Sequence, residues 1–269
     1  MPGYPAEGPS GRTVLALAVI TLGVVLGLGG LAVWVTYPGR GTSASARDSE
    51  TAVAAPDSAL LRRPEVRAAE RSVVKLVGAA PECRRRIQST GFSYAPERVM
   101  TNAHSVAGSQ GPIDVQVPST GAHYSATVVL FDPRRDVAVL VVPELRLGGL
   151  AFDPAGAPGA SAVIAGFPKD AGAVTATAAR IRARQTSTSA DIYHSAQNVR
   201  RDVFWLAGTV RPGDSGAPLL SAAGSVYGLV FASTYDDPGG GYALTADEIA
   251  ADAQAGRIAT DAVDTGACV

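Results

Sequence analysis

The chain has 269 residues, 46% of them hydrophobic, which is enough for one large folded domain or two small ones. Its formal net charge of -1 at pH 7 gives no electrostatic reason to expect a nucleic-acid partner. The cysteines and the three histidines show no metal-ligand spacing, so we expect no metal and no other cofactor.

A long apolar run follows an N-terminal tail of residues 1–13, and we predict a transmembrane helix over residues 14–36. From Val14 to Val35 the chain carries no charge, and this is about the length that crosses ~30 Å of hydrocarbon. A cleavable signal peptide is the alternative, because Ala44-Ser45-Ala46 resembles a cleavage site. The apolar run is too long and too far from that site, which favours an uncleaved anchor. The flanking arginines leave its orientation open.

Residues 37–66 are rich in Gly, Ser, Ala and Pro, as a flexible linker would be, and a folded domain is expected over residues 67–269. A short helix is predicted from Pro64 to Glu70, since proline is tolerated in a first helical turn. Twelve short β-branched segments separated by turn residues follow. A Pro/Gly-rich crossing, Asp153–Gly159, divides them into two sets of six.

The two sets predict an all-β domain of two six-stranded antiparallel barrels. The first set is Ser72–Val77, Ser89–Tyr94, Arg98–Asn102, Ile113–Val117, His123–Phe131 and Val137–Val142. The second set is Ala160–Phe167, Ala173–Ala183, Val203–Val210, Ala217–Leu220, Ser225–Ser233 and Gly241–Thr245. A capping box at Thr245–Glu248 then predicts a C-terminal helix to about Ala255, with Gly256 as its stop.

Ser215 lies between two glycines after a Pro-Gly turn, in Arg211-Pro212-Gly213-Asp214-Ser215-Gly216. A covalent acyl-transfer site needs a serine in such a place, together with backbone N–H groups that stabilise the oxyanion. We take Ser215 as the candidate nucleophile and the N–H groups of Gly213 and Ser215 as the candidate oxyanion hole. An ordinary Gly/Ser/Pro loop has the same composition, so the assignment depends on a histidine partner.

His104 closes an apolar strand that ends in small residues, which would expose its imidazole at a strand end. Asp136 directly precedes another apolar strand and is placed to fix the tautomer of that imidazole. Asp132, followed by proline, fits a turn better. His123 and His194 are interpreted as surface or loop residues. The candidate catalytic residues are therefore His104, Asp136 and Ser215.

The order His104, Asp136, Ser215 is that of the chymotrypsin arrangement. With T-N-A-H, D-V-A-V-L and G-D-S-G-A-P-L at these three places, residues 67–256 resemble a trypsin-like serine protease. That resemblance implies an active site between two barrels and a protein or peptide substrate.

A closer resemblance is to membrane-anchored periplasmic serine proteases linked to acid resistance. The stretches that carry it are Asp191–Tyr193, Arg201–Val203, Gly241–Ala246 and Thr265–Cys268. There are two departures: Ala217 stands where a glycine is usual, and this chain has one predicted span where those relatives have several.

The resemblance also suggests a specificity pocket. Thr209 would lie at its base, and Phe231, Ala232 and Ser233 would pair with the substrate backbone. Because no acidic residue stands at position 209, we expect a neutral, small to medium substrate side chain.

A disulfide between Cys83 and Cys268 is predicted, because the anchor and the protease resemblance place both cysteines in an oxidising compartment. It would pin the C-terminal tail onto the first barrel.

Together these features predict a single-pass membrane-anchored serine endopeptidase with its protease domain on the periplasmic side of a bacterial membrane. The resemblance implies a role in envelope stress or acid resistance. A catalytically silent binding or sensing module is the alternative, since the Cβ of Ala217 would be able to shift the oxyanion turn. An HtrA-like quality-control protease is a second alternative, but the chain leaves no room for a peptide-binding domain.

Overall fold

The structure is a computed structural model that describes residues 54–234 and 237–269. The predicted N-terminal tail and transmembrane helix lie outside the described residues. Within the described ranges, no helix is long and apolar enough to cross a membrane.

Twelve antiparallel strands form two closed six-stranded barrels, which confirms the predicted all-β architecture. The first barrel consists of β1 (Val73–Ala80), β2 (Arg85–Ala95), β3 (Arg98–Thr101), β4 (Ile113–Val117), β5 (Ala122–Asp132) and β6 (Val137–Val141). The second consists of β7 (Ser161–Gly166), β8 (Thr175–Ser189), β9 (Val199–Ala207), β10 (Pro218–Leu220), β11 (Val226–Ser233) and β12 (Gly240–Thr245). Their spatial orders are β1-β2-β3-β6-β5-β4 and β10-β11-β12-β9-β8-β7.

Alternating side chains fill the barrels. In β4, Ile113, Val115 and Val117 are buried while the residues between them stay partly exposed, as the period of two in a strand requires. Each barrel has its own apolar cluster. A third cluster contains Phe92 of the first barrel and Phe167 of the second, so apolar packing joins the two barrels.

The hairpin of β8 and β9 extends beyond the apolar pattern that predicted it. Its outer part is the polar run Gln185–Ser189, which pairs with the start of β9. Arg184 stabilises this extension through ion pairs with Asp202 and Asp247. Ion pairs and backbone hydrogen bonds therefore stabilise the outer part of this hairpin, which hydrophobic periodicity could not predict.

In the described part of the chain, two short helices precede β1: a 3-10 helix, Ser58–Arg62, and the predicted helix α1 (Pro64–Glu70). Leu60 and Val66 are buried in the cluster that joins the barrels. The folded part therefore begins before the predicted boundary at residue 67, because these apolar side chains have a core to enter. Residues 37–53 of the predicted linker lie outside the described ranges.

The C-terminal helix, α2 (Ala246–Ile258), begins at the predicted cap, where the Thr245 hydroxyl accepts a hydrogen bond from the Glu248 N–H at 3.1 Å. The predicted stop at Gly256 is wrong, because the helix continues through it. Gly256 packs so closely on the first barrel that a Cβ would lie 2.6 Å from the Val139 side chain. This glycine permits close packing and does not end the helix.

After α2 the chain returns across the first barrel. The Val263 N–H donates to the Val128 carbonyl at 3.0 Å, and the Gly108 N–H donates to the Thr265 carbonyl at 3.2 Å. Cys268 is bonded to Cys83, with their Cα atoms 6.3 Å apart, so the predicted disulfide is confirmed.

Candidate active site

His104 and Asp136 lie at neighbouring ends of β3 and β6, which pair in the first barrel. Asp136 Oδ2 is 2.7 Å from His104 Nδ1, and Oδ1 accepts the His104 backbone N–H at 2.9 Å. Asn102 donates its side-chain amide to the Asp136 carbonyl at 3.0 Å. The carboxylate thus holds both the ring and the backbone of the histidine.

The two members of this pair differ in exposure: the Asp136 side chain is 6% exposed and that of His104 is 29% exposed. Burial lowers the pKa of His104, but the charge of Asp136 and its hydrogen bond outweigh burial, so the pKa is raised above its ordinary value. The imidazole of His104 is therefore a stronger base than that of an ordinary histidine.

A hairpin of the second barrel supports the loop that carries Asp136. Arg201, only 5% exposed, donates from Nε to the Arg134 carbonyl at 2.8 Å. The Ile192 N–H donates to the Pro133 carbonyl at 3.2 Å. Arg201 has no role among the predictions from the sequence, because its burial and its partner Arg134, 67 residues away, appear only in the folded chain.

Ser215 lies in the turn before β10, in the second barrel. Gly213 and Gly216 have φ angles of 99° and 86°, which L side chains rarely adopt. A Cβ on Gly213 would also collide with the Phe167 carbonyl, and one on Gly216 with the Thr90 carbonyl. The two glycines that suggested the site are thus required by its backbone geometry.

The N–H groups of Gly213 and Ser215, the predicted oxyanion donors, belong to peptides whose carbonyls are hydrogen-bonded. The Pro212 carbonyl accepts the Lys169 N–H at 2.7 Å, and the Asp214 carbonyl accepts the Ala217 N–H at 2.9 Å. The C=O and N–H of a trans peptide point in opposite directions. The Gly213 and Ser215 N–H groups therefore point away from Lys169 and Ala217, the partners of these carbonyls. Within the described ranges neither has an acceptor.

Thr90 of β2 links this turn to the first barrel. Its hydroxyl donates to the Gly213 carbonyl at 2.7 Å and accepts the Phe167 N–H at 2.8 Å. Its own N–H donates to the Ser215 carbonyl at 3.0 Å. Sequence analysis missed Thr90, because its partner Gly213 is 123 residues away in the chain.

His104, Gly213 and Ser215 line one open cavity of about 220 Å³. The structure therefore brings together the predicted nucleophile, base and oxyanion donors. Within the described ranges no hydrogen bond joins the side chains of His104 and Ser215. Such bonds are often long in enzymes without substrate.

Comparison with known proteins identifies the family. Residues 89–229 match the model of the trypsin-like peptidase domain, which is more than half of the chain. The chain belongs to the trypsin-like peptidase family. A curated relative is serine protease Rv3671c of Mycobacterium tuberculosis, 46% identical over 220 residues, or 81% of this chain. The match covers 54% of the relative, so this chain spans about half its length.

Solved structures of the same M. tuberculosis protease are similar to this trypsin-like domain. Its active form superposes with a TM-score of 0.75 at 44% identity, covering 80% of this chain and 93% of that one. An inactive form gives a TM-score of 0.65 at 42% identity, covering 75% and 97%. The agreement is therefore better with the active form.

Ala217, the departure from the usual trypsin-like motif, is accommodated without disturbing the turn. Its side chain is fully buried in the apolar cluster of the second barrel. Gly166 leaves space beside it, since a Cβ on Gly166 would lie 3.3 Å from the Cβ of Ala217. The Ala217 N–H still closes the turn on Asp214, so the methyl group does not displace the oxyanion donors.

The predicted specificity residues of the trypsin-like domain occupy the second barrel. Phe231, Ala232 and Ser233 end β11, and β10 pairs with that strand only as far as Leu229. Val230 still bonds to the Ser215 turn, because its carbonyl accepts the Gly216 N–H and its N–H donates to the Ala217 carbonyl, both at 2.9 Å. Within the described ranges, the edge is free of backbone partners on that side only from Phe231 onward. Thr209 is exposed and does not line the cavity that contains Ser215, so its place at a pocket base stays a prediction.

Proposed function

We propose that this chain is a serine endopeptidase that uses His104, Asp136 and Ser215 through an acyl-enzyme intermediate. The observation that carries this proposal is the 2.7 Å contact between Asp136 and His104. Beside it lies a serine whose turn has two N–H groups without an acceptor in the part of the chain that the structure describes. The better superposition on the active form of a related protease supports it.

In this mechanism, His104 accepts the Ser215 proton as the hydroxyl attacks the peptide carbonyl. Asp136 stabilises the imidazolium that forms. The Gly213 and Ser215 N–H groups donate to the oxyanion. Loss of one such donor would raise the activation free energy by roughly 3 kcal/mol. His104 then protonates the departing amine as the C–N bond breaks. In the second half, His104 accepts a proton from water as that water attacks the acyl carbonyl, and it returns the proton to Ser215 as the ester bond breaks.

The substrate in this proposal is an extended peptide whose amino-side half pairs with the free edge of β11 at Phe231, Ala232 and Ser233. Within the described ranges this edge is open, because pairing with the Ser215 turn stops at Val230. An extended peptide gains backbone hydrogen bonds by adding to such an edge. The predicted place of the uncharged Thr209 at the pocket base supports a neutral, small to medium residue before the cleaved bond.

The cellular setting in this proposal is the outer face of a bacterial membrane, with a single anchor at residues 14–36. The uncharged run from Val14 to Val35 and a disulfide that needs an oxidising compartment support this setting. A probable periplasmic serine endoprotease of Chlamydia pneumoniae is also 28% identical over 152 residues. A role in acid resistance or envelope stress rests on the sequence resemblance alone.

Single substitutions test the catalytic assignment. Ser215→Ala and His104→Ala should each lower peptide turnover by about 10⁴-fold or more, because the triad acts as one unit. Ser125→Ala, an exposed serine on β5, is the matched control and should leave turnover unchanged. Turnover that survives in Ser215→Ala would remove this serine as nucleophile. A folded wild-type protein without turnover would favour a silent binding module.

A further inference from the structure

The leaving-group half of a substrate can be located from the proposed function, on which this inference rests. His104 hands its proton to the departing amine, so the residue after the cleaved bond must lie beside its ring. The cavity that holds His104 and Ser215 continues along Arg85–Ser89 of β2 and includes no residue of β11. This direction is the exit path of the leaving group.

Among the described residues, no strand pairs with the edge of β2 along this path. β3 pairs with β2 only from Phe92 onward, and before it the Thr90 N–H points outward to the Ser215 carbonyl at 3.0 Å. Backbone groups alternate along a strand, so those of Gln88 and Arg86 point the same way as those of Thr90. A leaving peptide can therefore pair with β2 at Gln88.

Successive side chains of a peptide bound there face opposite sides. The first residue after the cleaved bond faces the cavity of His104, and the second faces the opposite side of β2. On that side lies a cavity of about 420 Å³ that shares Gly213 with the active site. Lys75, Arg86 and Lys169 line it.

These three cations leave a net positive charge in that cavity. No ion pair engages them within the described ranges, whereas Arg135, Arg182, Arg184 and Arg211 are all paired. Lys75 Nζ donates only to the Ala171 carbonyl at 3.1 Å.

Carboxylates nearby do not balance the three cations. Asp170 is the one carboxylate in the lining. Asp114, on the adjacent strand, contacts Gln116 at 2.7 Å and His123 at 3.0 Å. A substrate side chain that binds in this cavity should therefore be negatively charged.

We propose that the enzyme prefers an acidic residue at the second position after the cleaved bond, read by Arg86 and Lys169 with Lys75 behind them. An aspartate there gains attraction from partly solvated cations, and an asparagine of the same shape does not. The preference should weaken as salt rises, because solvent ions screen exposed charges.

The test uses internally quenched peptides that differ only in Asp or Asn at that position, with the cut bond located by mass spectrometry. The wild type should show a kcat/KM about three- to tenfold higher for Asp. The Arg86→Gln, Lys169→Gln double variant should bring the ratio close to one. Arg200→Gln, an exposed arginine on β9 that lines neither cavity, should keep the wild-type ratio.

A peptidyl p-nitroanilide separates the two proposals, because its leaving group carries no second residue. If Ser215-dependent turnover of this substrate occurs but Asp and Asn peptides are cut equally, the acidic preference is wrong and the catalytic proposal stands. A preference that persists in the double variant would also overturn the role of these cations. Absence of Ser215-dependent turnover of every substrate would defeat the catalytic proposal itself.

Discussion

The hydrogen bond between Asp136 and His104 sets the pH at which the base can act. Because Asp136 raises the pKa of His104, kcat/KM should fall as pH drops through a value above 6.5. Asp136→Asn keeps the shape and removes the charge, so the midpoint should shift to lower pH and kcat should fall steeply. The measurement is a pH profile of kcat/KM for both proteins. An unchanged midpoint in the variant would contradict this role of Asp136.

Thr90 positions the oxyanion turn from the opposite barrel. Thr90→Val removes the hydroxyl that donates to the Gly213 carbonyl and should lower kcat by about tenfold with little change in KM. It also leaves a buried carbonyl and N–H unpaired, at a cost of about 1–3 kcal/mol in unfolding free energy. Thr90→Ser retains the hydroxyl and should restore kcat. Wild-type kcat in Thr90→Val, or a loss of kcat in Thr90→Ser as large as in Thr90→Val, would contradict this role of the hydroxyl.

The residues to which we assign the chemistry could be predicted from the sequence, while those that position them could not. Ser215 and its glycines form a local motif, and His104 and Asp136 each stand at the end of an apolar strand. Thr90 and Arg201 act across barrels, through partners that only the folded chain brings close. A single sequence contains no local pattern for such contacts.

At the scale of elements, α2 carries a buried carboxylate that destabilises the fold at neutral pH. Burial first, and then the charge of Asp132, raise the pKa of Asp252 to about 6. One carboxylate oxygen has no hydrogen-bond partner within the described ranges. The folded state therefore favours the protonated acid. The stability that this group contributes is complete below about pH 4 and is lost as pH rises through about 6.

Asp252→Asn should consequently stabilise the protein only at higher pH. The gain in unfolding free energy should be near zero at pH 4 and reach about 2–3 kcal/mol at pH 7. Denaturant unfolding at several pH values measures it, with Asp261→Asn, an exposed residue beyond the helix, as control. If the gain in unfolding free energy does not change with pH, the folded state does not favour the protonated form of Asp252.

Sequence patterns were sufficient to locate the strands of both barrels. All twelve strands were predicted, because alternating or continuous apolar residues mark each buried face. Strand and helix ends were less accurate, as the polar extension of β8 and the passage of α2 through Gly256 show. In both cases tertiary contacts, ion pairs for β8 and close packing on Val139 for α2, override the local signal.

At the scale of the whole molecule, the Cys83–Cys268 bond closes a loop with a sequence separation of 185 residues. The chain-entropy model assigns about 5 kcal/mol to such a loop, as an upper figure. The tail also holds Gly108, just after His104, through the Thr265 carbonyl. Reduction should therefore lower both the melting temperature and the activity.

A double variant provides the control for this prediction. Cys83→Ser, Cys268→Ser should melt at the temperature of the reduced wild type and should not respond to reductant. A thiol count on the denatured, unreduced protein should give no free thiol in the wild type. An unchanged melting curve after confirmed reduction would remove the structural role of the bond.

The central claim is that His104 activates Ser215 for covalent chemistry, and a fluorophosphonate tests it most directly. Incubation of the wild type, followed by peptide mass spectrometry, should locate one adduct on Ser215. His104→Ala should label more slowly by several orders of magnitude while remaining folded. An adduct on another serine, or labelling of His104→Ala at the wild-type rate, would contradict the account.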